Sequence, residues 1–414
     1  MKSWMRPALV LFGVGYGANQ FSPLMVMYRE QGHYSATVVA AFFGVYVLGL
    51  APGLLVGGPA SDRWGRRRVL LPATAASIPA SAVIALGAFS EPLLYIGRLL
   101  FGLCIGVAMA VATTWVKELS GEGEGARRAA LALTAGFGLG PLVGGLLAQF
   151  APLPMELPYL VHIVLMVPVT WWLVAAPETV EPGRSRSWLR DLRVPAAAHP
   201  RFRWLVLPAA PWVFGAAALS FAVQPTALGD VLGGYGLLDA TLLTAVTLGC
   251  GFLAQSAARA VDARSPLAAT RIGLALVVAG TVVAALGAAG RSIPVAFVAA
   301  ALLGAGYGFV LLSGLQEVQR IAAPEHLVGL TAVFYSLTYL GFLLPMLLSA
   351  LTGVAGYPVL LLVVAGVQAL CLVLVWAGAH RAAEPAPAAD PLRALIRSAR
   401  ASGRARATDH RARS

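Results

Sequence analysis

Long apolar runs separated by short polar stretches fill this chain from residue 6 to residue 378. The runs lie near 6–28, 37–58, 69–89, 92–116, 127–150, 157–176, 204–226, 238–257, 268–289, 293–316, 327–351 and 357–378. A helix needs about 20 apolar residues to cross the hydrocarbon core of a bilayer. The pattern therefore predicts an all-α membrane protein of twelve transmembrane helices. The longest internal polar stretch, about 177–203, is rich in Arg, Pro and Ser. It divides the chain into an N-terminal six-helix bundle (1–176), a linker (177–203), a C-terminal six-helix bundle (204–378) and a basic tail (379–414).

Composition agrees. Of 414 residues, 58% are hydrophobic and 12% are charged, with a mean hydropathy of +0.78. Soluble domains carry about 25% charged residues, so a water-soluble protein is excluded. The three cysteines, Cys104, Cys250 and Cys371, all fall in apolar runs and read as small packing residues. No disulfide framework or metal spacing is present. The N-terminus begins like a secretory signal, but its apolar run is too long and lacks a clear cleavage site. It is expected to remain as the first span.

The net charge of +12 raises the question of nucleic acid, and its placement answers it. With the N-terminus inside, the inner segments hold 27 of the 30 Lys and Arg, and the outer loops hold Arg29 and Arg291. The positive-inside rule then puts both termini in the cytoplasm. The excess charge meets anionic inner-leaflet lipid, and no nucleic acid is needed. The tail from Arg381 to Ser414 is expected to be solvated and disordered. Its DPLRALIRSAR segment could alternatively lie on the membrane as an amphipathic helix. Arginine outnumbers lysine 28 to 2, a bias that points to a GC-rich bacterial source and so to a bacterial cytoplasmic membrane.

One short segment concentrates charge between two apolar runs: GGPASDRWGRRRVL, Gly57–Leu70. Arg66, Arg67 and Arg68 are explained by stop-transfer charge on the inner face. Asp62 is not, because acids contribute little to orientation. An acid before a basic run calls for a partner, such as a helix N-terminus or an arginine across the loop. Gly58 and Gly65 are expected to give close backbone approach and positive φ in a tight turn. Asp262 lies 200 residues after Asp62, near Arg259 and Arg264, as a faint internal repeat of the kind seen in many secondary transporters.

Here the chain resembles the major facilitator superfamily over about residues 6–378. Gly58, Asp62, Arg63, Gly65, Arg66 and Arg67 match the family's loop signature G-x-x-x-D-R-x-G-R-R. Ala60-Ser61 stands where the family usually has Leu-Ala. The resemblance implies that this loop latches the two halves together on the cytoplasmic side. A second match is Arg98, Gly102 and Gly106, like the family's fourth-helix pattern R-x-x-x-G-x-x-x-G. Two readings of Arg98 are open: an arginine that snorkels to the outer interface, or a buried charge lining a cavity. The resemblance associates it with proton coupling or substrate contact. A third match is Gly136, Gly140, Pro141, Gly144 and Gly145, like the fifth-helix antiporter motif found mainly in exporters. Small residues at this spacing also serve plain tight packing, and the proline allows a bend.

Glu118, ending the fourth span, is expected either to pair with Arg66 or Arg67 or to be an ordinary interfacial acid. Pro177–Thr179 is expected to stop the sixth helix. In this family spans one, four, seven and ten line the central cavity. They carry Tyr16, Asn19, Gln20, Arg98, Trp115, Trp212, Gln224 and Tyr307, with His162, Tyr335 and Tyr339 nearby. Together they would make a mostly apolar, aromatic pocket for a lipophilic or amphipathic small molecule. No Asp or Glu stands mid-span, so proton coupling would rest on Arg98, on His162, which titrates in the useful range, or on the rim acids Glu30, Glu118 and Glu317. No nucleotide-binding loop, nucleophile motif or metal-spaced pair is visible, so no enzyme site, cofactor or metal is expected. The resulting expectation is a monomeric, proton-coupled exporter. The alternatives are import of a nutrient or organic anion and, more remotely, a non-transporting membrane sensor.

Overall fold

Twelve long helices succeed one another in the computed structural model, which describes residues 2–121, 124–180, 194–322 and 327–382. They are α1 (Met5–Glu30), α2 (Ala36–Trp64), α3 (Arg66–Leu86), α4 (Glu91–Glu118), α5 (Glu124–Phe150), α6 (Leu157–Val174), α7 (Phe202–Ala227), α8 (Gly236–Arg264), α9 (Pro266–Ala289), α10 (Ile293–Ile321), α11 (Leu327–Leu351) and α12 (Tyr357–Ala382). The basic tail beyond 382 and most of the central linker lie outside the described residues. Odd-numbered helices start at one end of the bundle, which carries the Asp62–Arg68 cluster, and even-numbered helices return to it. We call it the arginine-rich end.

Eleven of these helices are long and apolar enough to cross a membrane. α1 differs for a physical reason. Nineteen of its 26 residues are buried against α4, α5, α6 and α8. A helix covered by protein needs little lipophilicity, and α1 accordingly tolerates Asn19, Gln20 and Ser22. Several helices outrun their apolar segments at the arginine-rich end: α2 reaches Trp64, α8 reaches Arg264 and α10 reaches Ile321. Charge ends the hydrophobic pattern there without ending the helix.

Small residues set the closest seams. A Cβ on Gly102 or Gly106 of α4 would run into the backbone of Tyr46 or Leu50 of α2. Gly136 and Gly140 of α5 meet the backbone of Phe12 and Tyr16 of α1 in the same way. The later helices repeat the device, with Gly304 and Gly308 of α10 against Thr247 and Gly251 of α8. Such stripes let helices approach without side chains between them.

α7 is irregular. Two π-bulges, Phe202–Val206 and Leu219–Val223, interrupt it. α11 tightens into a 3₁₀ turn at Leu340–Leu343. The two cross closely where Gly341 meets the backbone of Pro211 and Gly215.

The first six helices meet the last six through α5–α8, α1–α8 and α2–α11. Four described hydrogen bonds cross this boundary. Thr37 Oγ1 pairs with Ser349 Oγ at 3.0 Å. Gln149 Nε2 donates to Gly234 O at 3.3 Å, and Leu238 N donates to Gln149 Oε1 at 3.1 Å. Tyr339 Oη donates to Met109 Sδ at 3.5 Å, part-way along the bundle. The first three lie at the end opposite the arginine-rich one. In this conformation the described hydrogen-bonded closure is at that opposite end.

Candidate functional site

Arg66 gathers the acids of the charged turn. Its Nη1 lies 2.5 Å from Asp62 Oδ1 and donates to Ser61 Oγ at 2.6 Å. Its Nε and Nη2 fork onto Glu118 at 3.2 and 2.7 Å. The guanidinium is buried, while Asp62 is 57% exposed. The bidentate fork therefore falls on Glu118, the geometry in which arginine recognition is strongest. The expected pairing of Glu118 with this turn is present, through Arg66. Arg63 lies beside Trp64 at 5.9 Å.

The turn itself is one residue. Gly65 has φ +99° and joins α2 directly to α3. The expectation for Gly58 is corrected: it is an interior residue of α2 with ordinary φ, because the helix continues six residues past it. Gly65 has no side chain to cap α3, and Glu178 supplies the cap from 112 residues away. Its Oε1 accepts from Arg66 N at 2.8 Å and its Oε2 from Arg67 N at 2.9 Å. A carboxylate at a helix N-terminus satisfies orphan donors and opposes the positive end of the dipole. Burial alone would raise the Glu178 carboxyl, but N–H donors of Arg67, Arg66, Thr179 and Val180 outweigh it and hold it below the usual carboxylate range. The Pro177–Thr179 stretch thus caps a different helix as well as ending its own. Trp115, expected in the cavity, instead donates from Nε1 to Pro177 O at 3.1 Å. Every described partner of Asp62, Arg66 and Arg67 belongs to the first six helices or the segment just after them.

The faint repeat at Asp262 is structurally real, with a different partner. Asp262, 1% exposed, pairs with Arg320 of α10, not with Arg259 or Arg264. Arg320 also reaches Glu317 at 2.8 Å, and Arg201, just before α7, forks onto Glu317 at 2.9–3.0 Å. Each group of helices therefore carries an acid–arginine network at the arginine-rich end.

Arg98 does not snorkel. Its side chain is 1% exposed; Nε donates to Phe42 O at 3.1 Å, and Nη2 has no partner. The guanidinium faces the rings of Phe21 and Tyr46 at 4.0 and 4.6 Å. No carboxylate pairs with it among the described residues. Cation–π contact offsets only part of the desolvation of such a group.

His162 is fully buried nearby. Its Nε2 must carry the proton, since Gly13 O at 3.2 Å only accepts; Nδ1 meets Ser81 Oγ at 2.8 Å. Tyr16 stacks on His162 at 6.3 Å, and its hydroxyl is unpartnered.

Of the remaining cavity candidates, Tyr307 and Tyr339 come together around Phe214, at 5.9 and 4.5 Å. This cluster continues through Phe342 to Phe43 of α2 at 4.7 Å, so rings from both groups of helices interlock. Gln20 is fully buried against Gly144, with both amide atoms unpartnered. Gln224 lies near Ser220, which pairs with Thr247 at 2.6 Å. Trp212 lines an apolar cleft of about 410 Å³ between α7 and α11. Asn19 is half-buried, and Tyr335 packs beside Phe334 with its ring centroid 5.7 Å away. Pro141 and Gly145 are buried in α5, where Gly145 abuts Thr241 of α8.

Sequence reasoning misses Glu178, Arg201 and Arg320 as partners, and Phe43, Phe214 and Phe342 as cluster members. It also passes over Asp239, a buried acid in the first turn of α8, because the residue sits at the margin of an apolar run.

Comparison with known proteins decides the family. The model of the Major Facilitator Superfamily matches residues 7–344. The chain belongs to this superfamily. It is therefore a membrane transporter by type. A curated relative, the multidrug efflux pump LfrA of Mycolicibacterium smegmatis (strain ATCC 700084 / mc(2)155), is 34% identical over 155 residues. That match covers 36% of this chain and 29% of the relative, so this chain spans under a third of its length. Among solved structures, a POT family transporter in complex with 5-aminolevulinic acid aligns with TM-score 0.75 at 12% identity, covering 92% of this chain and 96% of that one. The nucleoside transporter NupG (D323A mutant) aligns with TM-score 0.74 at 11% identity, covering 91% and 100%. At those identities the likeness is one of fold.

Proposed function

We propose that this protein exports a lipophilic or amphipathic small molecule from a bacterial cytoplasm in exchange for protons, by rocking two six-helix halves about a central site. The observation that carries the reading is the boundary between the halves. Interlocked aromatic rings lie at its centre, and the fifth-helix glycines lie at its closed end, with Gly144 against α1 and Gly145 against α8. Export is favoured by that fifth-helix pattern and by the match to LfrA. The positive-inside rule makes the arginine-rich end cytoplasmic, so this conformation is closed on the outside. On this reading Asp62, Arg63 and Arg66 latch the halves in the opposite conformation and are here held within their own half.

The test is transport in proteoliposomes with a lipophilic fluorescent dye and an imposed pH gradient. Export predicts dye movement that reverses when the gradient reverses. Dye movement that ignores the gradient would exclude proton exchange. No dye movement, together with uptake of a carboxylate nutrient, would replace export by import. One feature favours that second reading: Arg98 has no carboxylate partner among the described residues, and an anionic group on the cargo would supply one. Arg98→Met keeps most of the volume and removes the charge. It should lower transport of an anion at least 10-fold and leave a neutral dye within about threefold, each tenfold being about 1.4 kcal/mol.

A further inference from the structure

The last six helices leave one arginine within a membrane span and without an acid. Their described acids at the arginine-rich end are Asp262 and Glu317, and Arg320 and Arg201 take both. Arg271 lies in the second turn of α9, inside the apolar span Leu267–Ala289. It has no hydrogen bond or ion pair among the described residues, and its Nε is buried and unpartnered. Its guanidinium lies over the ring of Trp376 on α12, 4.0 Å from the centroid. Cation–π contact through the flat face of a guanidinium holds the group in place and leaves its in-plane N–H donors for an acceptor.

This pair borders the surface that meets lipid. On α12, Val363, Val367, Leu370 and Val373 are exposed apolar residues leading to Trp376, itself 54% exposed. On α9, Ile272 beside Arg271 is exposed, as is Leu286 further along. The depth suits a phospholipid head group. Arg271 stands five residues after the start of α9, and Trp376 six before the last residue of α12. At 1.5 Å per residue these are about 8 and 9 Å from the helix ends. An arginine stem at that depth carries its charge to the interface, where tryptophan is also favoured. Trp204 of α7 packs on Gly378, two residues beyond Trp376, and ties α12 to α7 at this level.

We propose that Arg271 and Trp376 form a binding site for the phosphate group of an anionic phospholipid, in the leaflet at the arginine-rich end. A guanidinium fork matches two phosphate oxygens, and an arginine at this depth is costly without such a partner. The surroundings select the net charge of the lipid. A zwitterionic head group brings an ammonium, and both described acids at this end of the last six helices are already paired. Arg259 and Arg264, exposed at the end of α8, add positive charge alone. A glycerol head group, which leaves the phosphate its negative charge and brings no ammonium, meets these conditions. The acyl chains then run along the exposed apolar residues of α9 and α12. Both helices belong to the last six, so the proposal does not rest on rocking, on proton exchange or on the cargo.

The test uses purified full-length protein, stripped of lipid in a non-ionic detergent. Dioleoyl phosphatidylglycerol, dioleoyl phosphatidylcholine or inorganic phosphate is added in a concentration series, and bound molecules are counted by native mass spectrometry. The first phosphatidylglycerol should bind about tenfold more tightly than phosphatidylcholine. Arg271→Gln should abolish that preference, and Trp376→Leu should weaken phosphatidylglycerol binding severalfold. Arg264→Gln removes the same charge from an exposed position and should leave binding within about twofold. Arg271→Lys keeps the charge and loses the fork. It should retain a weakened preference, which controls for misfolding of the amide variant. Equal losses in Arg271→Gln and Arg264→Gln would reduce the effect to net charge and overturn the proposal, as would equal binding of the two lipids. Displacement of phosphatidylglycerol by inorganic phosphate would give the site to free phosphate and overturn the lipid assignment.

Discussion

Glu178 shows how much one carboxylate can organise. It caps a helix whose own N-cap is a glycine, and it fixes the end of the segment that leaves α6. Glu178→Gln should lower stability by about 1 kcal/mol, the usual size of an N-cap, read as a drop in the midpoint of thermal aggregation. The pH dependence has a definite sign. The folded carboxyl sits below its ordinary value, so its contribution is complete above that ordinary value and fades as pH falls through the folded one. The parent protein should lose stability on acidification more steeply than Glu178→Gln. This contact was not legible in the sequence, because nothing local links Pro177–Thr179 to residue 66. Asp62, Arg66 and Glu118 were legible, since charge at the edge of an apolar run demands a partner and few partners were in reach. Arg98 was legible as an anomaly; only the structure decides between snorkelling and burial.

At the scale of elements, apolar length located the helices, and glycine spacing located their seams. What it missed are helix ends, because α2, α8 and α10 continue into charged sequence. It also missed the irregular turns of α7 and α11, which leave no mark on hydropathy. The seams give a paired prediction. Gly106→Val places a branched side chain against the α2 backbone and should cost about 1–3 kcal/mol, as overpacking does. Gly138→Ala, two residues from the nearest motif glycine, meets nothing within 4 Å. It should stabilise α5 by about 0.5–1 kcal/mol through helix propensity. Thermal midpoints of both variants in the same detergent check the two signs together. Equal destabilisation by both would mean that the glycines are not placed for close approach.

For the whole molecule, the proposed rocking of two halves makes the boundary between the first and last six helices the part that moves. Thr37 and Ser349 touch across it at 3.0 Å. The double replacement Thr37→Cys with Ser349→Cys should form a disulfide under mild oxidant and hold that end closed. Transport should stop and return with reductant, while either single replacement should be indifferent to both reagents. Transport that continues in the cross-linked protein would show that this end does not open during the cycle.

One consequence of the buried position of α1 concerns how the chain is made. α1 leaves the ribosome before the helices that shelter Asn19, Gln20 and Ser22 exist. During synthesis it faces lipid or the insertion machinery with a surface suited to protein. Its stable residence in the bilayer therefore waits on later helices, with α4 and α5 arriving some 60 to 120 residues afterwards. In a nascent chain halted after α2, a cysteine placed at Asn19 should react readily with a thiol reagent, and in one halted after α5 it should be protected. The order of birth and the order of burial run opposite in this molecule, and biogenesis has to bridge the interval.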